Sequence, residues 1–188
     1  FHLGPETAAV VIGALKEAAA RGVAVRIMYD VDHANPIPVP PPPEPDAQLI
    51  ASIGLPSKAI AGVPDLMHHK YVVRYGESVL TGSTNWTDDS WARQENVIVT
   101  VDSPELAHAF TLDFDELWEH GDVERSGFVE PRPVDVDGAR IKPWFTPGHG
   151  EALSARIGKR IGQAKKVRIC SPVITAAPVL ATLAQVIA

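Results

Sequence analysis

Residues 68–85 read HHKYVVRYGESVLTGSTN, and this stretch decides the fold. Residues 71–73 and 79–81 are β-branched or apolar runs on either side of Gly76-Glu77-Ser78, the signature of two strands joined by a tight turn. Side chains alternate along an extended chain, so His68 and Lys70 project from one face and His69 from the other. The turn brings Gly82–Asn85 back beside His68. A histidine, a fixed cation, a hydroxyl and an amide then converge at one strand edge, a combination shaped for a phosphoryl group. Lys70 would neutralise an oxyanion as a point charge, and Ser83 and Asn85 would donate hydrogen bonds. Gly82 would let backbone approach the ligand. His68, with an unperturbed pKa near ~6.5, suits attack on phosphorus or proton transfer.

Outward from this stretch the chain reads as alternating helices and strands. A helix over 6–21 starts beside Pro5 and stops at Gly22, and a short strand over 23–29 ends at Asp30. Residues 35–45 are proline-rich, which excludes ladder and helix and predicts an extended loop. A short helix over 46–53 precedes the hairpin. Residues 97–101 form a strong strand, and Ser103-Pro104-Glu105 opens a helix whose Leu106, Phe110, Phe114 and Leu117 share a core face up to Gly121. Residues 130–150, rich in proline and glycine, read as a connector. A helix over 151–163, a strand over 166–170 and a helix over 176–188 complete the pattern. The fold class is therefore α/β, a mixed sheet flanked by helices.

The chain has 188 residues, 17 Lys+Arg against 23 Asp+Glu, and a formal net charge of −6. With 45% apolar and 21% charged residues it has a globular composition, long enough for a real core. No stretch approaches the ~18 apolar residues of a membrane span. One cysteine, Cys170, excludes an internal disulfide framework; lying in an apolar strand, it is expected to be a buried, inert thiol. Mild net acidity argues against coating by nucleic acid, although Lys159, Arg160, Lys165, Lys166 and Arg168 form a local basic cluster, ordinarily a solvated helix face. Asp30-Val31-Asp32-His33 resembles a calcium loop only until Ala34, where the pattern breaks and its glycine is missing.

The hydrophobic pattern also echoes itself. Shifted by about 168 positions, Val11, Ile12, Leu15, Ala18 and Ala19 fall on Val179, Leu180, Leu183, Val186 and Ile187. The chain opens on Phe1, so the expectation is a window on a two-repeat protein whose first strand precedes it. Residues 1–129 would be the first repeat, 130–150 the connector and 151–188 the opening of the second.

Taken together, these residues resemble the HKD motif of the phospholipase D superfamily. His68-x-Lys70, then eleven residues, then Gly82-Ser83-x-Asn85 has that spacing, and five specified residues at fixed offsets arise by chance about once per million positions. Trp86 after Asn85, Glu95 ten residues further on, the Arg21-Gly22-Val23 step, Trp144-Phe145-Thr146-Pro147 and Val167-Arg168-Ile169 look similar too. The resemblance covers nearly the whole chain. It implies a two-repeat α/β fold and cleavage or transfer at a phosphodiester through a covalent phosphohistidine, without metal or other cofactor. His68 would be one of two active-site histidines, as nucleophile or general acid. Lys70 and Asn85 would bind phosphate oxygens, with Gly82, Ser83 and Trp86 supporting the substrate, and Glu95 would orient His68. The expected substrate is a phospholipid headgroup, with nucleic acid or a retired, non-catalytic scaffold as alternatives.

Two departures stand out. The motif's aspartate belongs at position 75, where this chain has Tyr75; on the strand it would face away from His68 and Lys70, which makes its role structural. Only one motif is present. By the echo its partner histidine would fall about 48 residues past Ala188, or it would come from a second subunit.

Overall fold

A computed structural model describes residues 5–31, 47–61 and 66–187. The proline-rich run and the tail of the calcium-like stretch lie outside them. In chain order the elements are α1 (Pro5–Ala20), β1 (Ile27–Val31), α2 (Ala47–Ser52), β2 (Ser57–Ala61), β3 (Tyr71–Arg74), β4 (Ser78–Gly82), α3 (Asp88–Ala92), β5 (Ile98–Asp102), α4 (Pro104–His120), β6 (Val134–Val136), β7 (Ala139–Ile141), α5 (Gly150–Gln163) and α6 (Ala177–Ile187). The mixed α/β character holds. Parallel pairing occurs between β1 and β2, with Asp30 opposite Ile60, and antiparallel pairing in the order β3-β4-β5 and between β6 and β7.

Helix α4 organises these sheets. The Ser103 hydroxyl caps it by accepting the Leu106 amide at 3.2 Å, and Pro104 fills the first turn. Gly121, at φ 75°, ends it with a bond from its amide to the Leu117 carbonyl at 2.9 Å. The helix's first half lays Leu106 and Ala107 on Val79 of β4, with Val73, Val101 and Phe110 alongside. Its last turns set Leu117 against Ile60 of β2 and Val123, where Met28 and Met67 join. One helix thus covers the β1–β2 pair and the β3-β4-β5 sheet, and residues 66–70 run between them. Lys58 of β2 reaches the Trp118 carbonyl, placing a cation at the helix's negative end. Phe114 is not a core residue of this face as expected: it stacks on Trp118 at 5.7 Å, and the Arg26 guanidinium lies 4.8 Å from its ring and bonds Asp115.

Several expectations are corrected. The strand predicted over 23–29 starts later, at Ile27, because its pairing follows β2, a strand disguised in sequence by Pro56, Ser57 and Lys58. The connector holds the β6–β7 hairpin, turned by Asp137 and Gly138 at φ 48° and 82°. Residues 166–170 form no strand, since no described strand lies beside them to supply hydrogen bonds. Cys170 is accordingly exposed rather than buried. Helix α5 packs on α6 at Gly158, where an added Cβ would meet the Pro178 carbonyl oxygen at 2.9 Å. No described helix is long and apolar enough to cross a membrane. Among the described residues β5 is an edge strand, with Ile98 and Val99 41 and 47% exposed along it.

Candidate active site

The hairpin behaves as its sequence demands. The ladder pairs Tyr71 with Thr81, Val72 with Leu80, Val73 with Val79 and Arg74 with Ser78. One step past the Tyr71–Thr81 pair stand Lys70 and Gly82, so the two halves of the sequence pattern meet at one end of the sheet. The turn holds Tyr75 and Gly76 at φ 55° and 65°, with the Glu77 amide donating to the Arg74 carbonyl at 2.9 Å. Two consecutive positive φ angles are what a type I′ turn requires, and its favoured residues at the first position are Asn, Asp and Gly. Position 75 is therefore a turn position, and Tyr75 points outward, 66% exposed.

His68 borders a cleft of about 350 Å³ shared with Met67, His69, Val123, Thr146 and Pro147. Its imidazole is held below its ordinary pKa of 6.5, first by desolvation and then by the Lys70 charge, while Asp30 opposes both. The ring is thus neutral near pH 7, with a lone pair to give. Lys70 is lowered to about 8 by burial, again against Asp30, and its ammonium donates to the His68 carbonyl at 2.8 Å. The cation remains charged at neutral pH and folds back beside the histidine.

The strand expected from residue 68 begins only at Tyr71, and His69 lines the same cleft with its ring turned to α4. Its Nε2 lies 3.5 Å from Asp113 Oδ2, and its ring meets Tyr71 at 5.4 Å and Phe145 at 6.4 Å. Burial brings His69 down to about 4 and Asp113 up to about 6, so at pH 7 a neutral imidazole faces an ionised carboxylate. The Tyr71 hydroxyl donates to Asp113 Oδ2 at 2.9 Å, and burial beside that carboxylate raises the phenol's pKa.

The second half of the pattern is held by its own bonds. The Ser83 hydroxyl donates to Asn96 Oδ1 at 2.9 Å and accepts the Val97 amide at 3.0 Å, while the Ser83 amide donates to the Val97 carbonyl. Asn96 in turn donates to the Ser90 carbonyl at 3.1 Å. The close approach made at Gly82 is to this same strand: a Cβ there would lie 2.0 Å from the Val97 oxygen. Thr87 caps α3 by accepting the Ser90 amide, which fixes the chain just after Asn85 and Trp86. Asn85 is exposed and Trp86 half-buried. Glu95 is exposed and makes no hydrogen bond or ion pair with a described residue, His68 included. Thr84 Oγ1 is buried with no hydrogen-bond partner among the described residues. The basic cluster contributes Arg160, Lys166 and Arg168 to a separate open cleft with Trp144, which shares no residue with that of His68.

Sequence reasoning passed over Asp113 and weighed Asp30 only for metal. Asp113 was signalled by spacing: 106, 110, 113 and 117 form one helical stripe, and a carboxylate inside it needs a polar partner.

A family model described as cardiolipin synthase, PLD-like domain, matches residues 2–118. The chain belongs to the phospholipase D-like family. Members of this superfamily are phosphodiesterases. Human mitochondrial cardiolipin hydrolase is 30% identical over 138 residues, covering 66% of this chain and 50% of that protein. The Xenopus laevis counterpart is 42% identical over 63 residues, 33% of this chain and 30% of that one. The chain spans about half the length, or less, of these curated relatives. Among solved structures, Nuc from Salmonella typhimurium, a phospholipase D family member, is similar with a TM-score of 0.48 and 27% identity over 63% of this chain and 73% of that one.

Proposed function

We propose that this phospholipase D-like chain supplies one half of a phosphodiesterase site that acts on a phospholipid headgroup through a covalent phosphohistidine. The observation that carries the reading is the Lys70 ammonium held 2.8 Å from the His68 carbonyl, which sets a cation beside the histidine that borders the cleft. An imidazole nitrogen of His68 attacks phosphorus, and a P–N bond forms as the P–O bond to the leaving alcohol breaks. Lys70 and Asn85 bind the non-bridging oxygens, and Ser83, Gly82 and Trp86 shape the loop that presents Asn85. Water then attacks phosphorus, the P–N bond breaks, and His68 returns to its starting form. The leaving alkoxide needs a proton. His69 lies against Asp113, so the reading assigns that proton to a second histidine, from another repeat or another subunit. Glu95 would orient His68 once that half completes the site. A lipid is favoured over nucleic acid by the net charge of −6.

The test is rapid quench of full-length protein with ³²P-labelled cardiolipin, phosphatidylglycerol and single-stranded DNA in parallel, with His68→Ala as control. An acid-labile, base-stable protein label from lipid that vanishes in His68→Ala supports the proposal. Label from DNA alone transfers the reading to a nuclease, and no label from any substrate indicates a non-catalytic binding protein.

A further inference from the structure

Asp30, near the end of β1, is 7% exposed, and its Oδ1 accepts the Met67 amide at 3.0 Å, one residue before His68. It reaches across from the parallel pair to the segment that carries His68 and Lys70. We propose that Asp30 is a positioning residue of the His68 site, fixing the backbone entering His68 and setting a buried negative charge behind the histidine and the lysine.

The geometry separates two functions in one carboxylate. The hydrogen bond tethers residues 66–68 to β1, so the histidine's backbone cannot slide past that strand. The charge acts on what the tether positions: it opposes the lowering of both His68 and Lys70. Among the described residues, the charged and titratable groups around this pair come from three elements and from its own segment. From β1 there is Asp30. From its own segment His68 meets Lys70, and His69 is neutral at pH 7 and turned to Asp113 of α4. From β2, Lys58 is occupied by the Trp118 and Glu119 carbonyls at the end of α4. Without Asp30 the lysine would discharge closer to neutrality, and the phosphate-binding cation would be lost at a pH where the histidine is ready. This assignment rests on the phosphodiesterase reading for its purpose but not for its test.

The experiment is an NMR titration of the His68 imidazole in the wild type, Asp30→Asn and Asp30→Ser. Asn keeps an oxygen to accept the Met67 amide and removes only the charge; Ser keeps a smaller acceptor and serves if Asn disturbs folding. The expected result is a His68 midpoint moved further below its wild-type value in the neutral variants, with slow exchange of the Met67 amide retained in Asp30→Asn. A purely structural Asp30 would leave that midpoint where it is. An unchanged midpoint in a natively folded variant overturns the proposal, as does a wild-type Met67 amide that exchanges like an open loop. Because the readout needs no turnover, an inactive wild type would sink the phosphodiesterase reading and leave this result standing.

Discussion

The phenol of Tyr71 and the carboxylate of Asp113, 42 positions apart, share a 2.9 Å hydrogen bond that ties the strand after Lys70 to the middle of α4. Asp113 is 0% exposed, and its other oxygen, Oδ1, has no hydrogen-bond partner among the described residues. Removing the phenolic donor therefore leaves a buried acceptor with less than it has now. Tyr71→Phe is expected to cost about 1–3 kcal/mol, lowering Tm by roughly 2–4 °C per kcal/mol. Tyr71→Phe combined with Asp113→Leu should cost less than the sum of the two single changes, because both polar partners leave together. Thermal melts of the four proteins check this.

The His69–Asp113 contact gives opposed pH dependences. Asp113, raised to about 6, stabilises the fold most below its unfolded value of 3.8, and that contribution is lost as pH rises through 6. His69, lowered to about 4, contributes fully above 6.5, and that is lost as pH falls toward 4. Between pH 7 and 5 the two nearly cancel, each worth on the order of 1 kcal/mol. His69→Phe should gain stability relative to wild type on going from pH 7 to 5, and Asp113→Leu should lose it. Urea titrations at the two pH values that gave both variants the same slope would refute the assignment.

Lys70 sets an alkaline limit. With the ammonium at about 8, cleavage of a phosphodiester is expected to decline above that pH as the charge is lost. Lys70→Arg keeps a charge at all accessible pH, so the alkaline decline should move up by more than one unit. Its maximal rate should nonetheless fall, since a planar fork replaces a compact point charge. A pH–rate profile of the two proteins is the measurement.

Position 75 predicts a gain. Tyr75 occupies the first central position of the turn at φ 55°, where a bulky L-residue is strained. Asp-Gly is a favoured pair for such a turn. Tyr75→Asp, which restores the residue the motif expects, should raise the urea midpoint by the equivalent of roughly 0.5–1 kcal/mol and leave kcat unchanged. A large rise in kcat at equal stability would instead give the aspartate a chemical role.

The hairpin and its ends were legible because period-two alternation, a glycine turn and a five-residue spacing all pointed to the same arrangement. The two capped ends of α4 were legible for a similar reason: Ser103, Pro104 and Gly121 act locally. What sequence concealed depends on distant partners. Strand β2 has one large apolar residue, Ile60, to announce it, and its pairing with β1 is a long-range choice. The expected strand at 166–170 has strand-like residues but no described neighbour. Phe114 and Asp113 exchange the places a simple stripe gives them, because Arg26 offers Phe114 a cation and Tyr71 offers Asp113 a donor. Around the candidate site, the long-range contacts were not readable: the bond from Met67 to Asp30 joins residues 37 apart.

The edge at β5 has a practical consequence. Ile98 and Val99 stand exposed on β5, whose edge away from β4 has no described partner strand, with neither proline nor lysine beside them to discourage a neighbour. Material made as this chain alone would then be lost by self-association while still folded, at a rate set by concentration. Cooling weakens hydrophobic association and would prolong its life in the tube. A single lysine in place of Ile98 would do so at any temperature, without touching the cleft at His68.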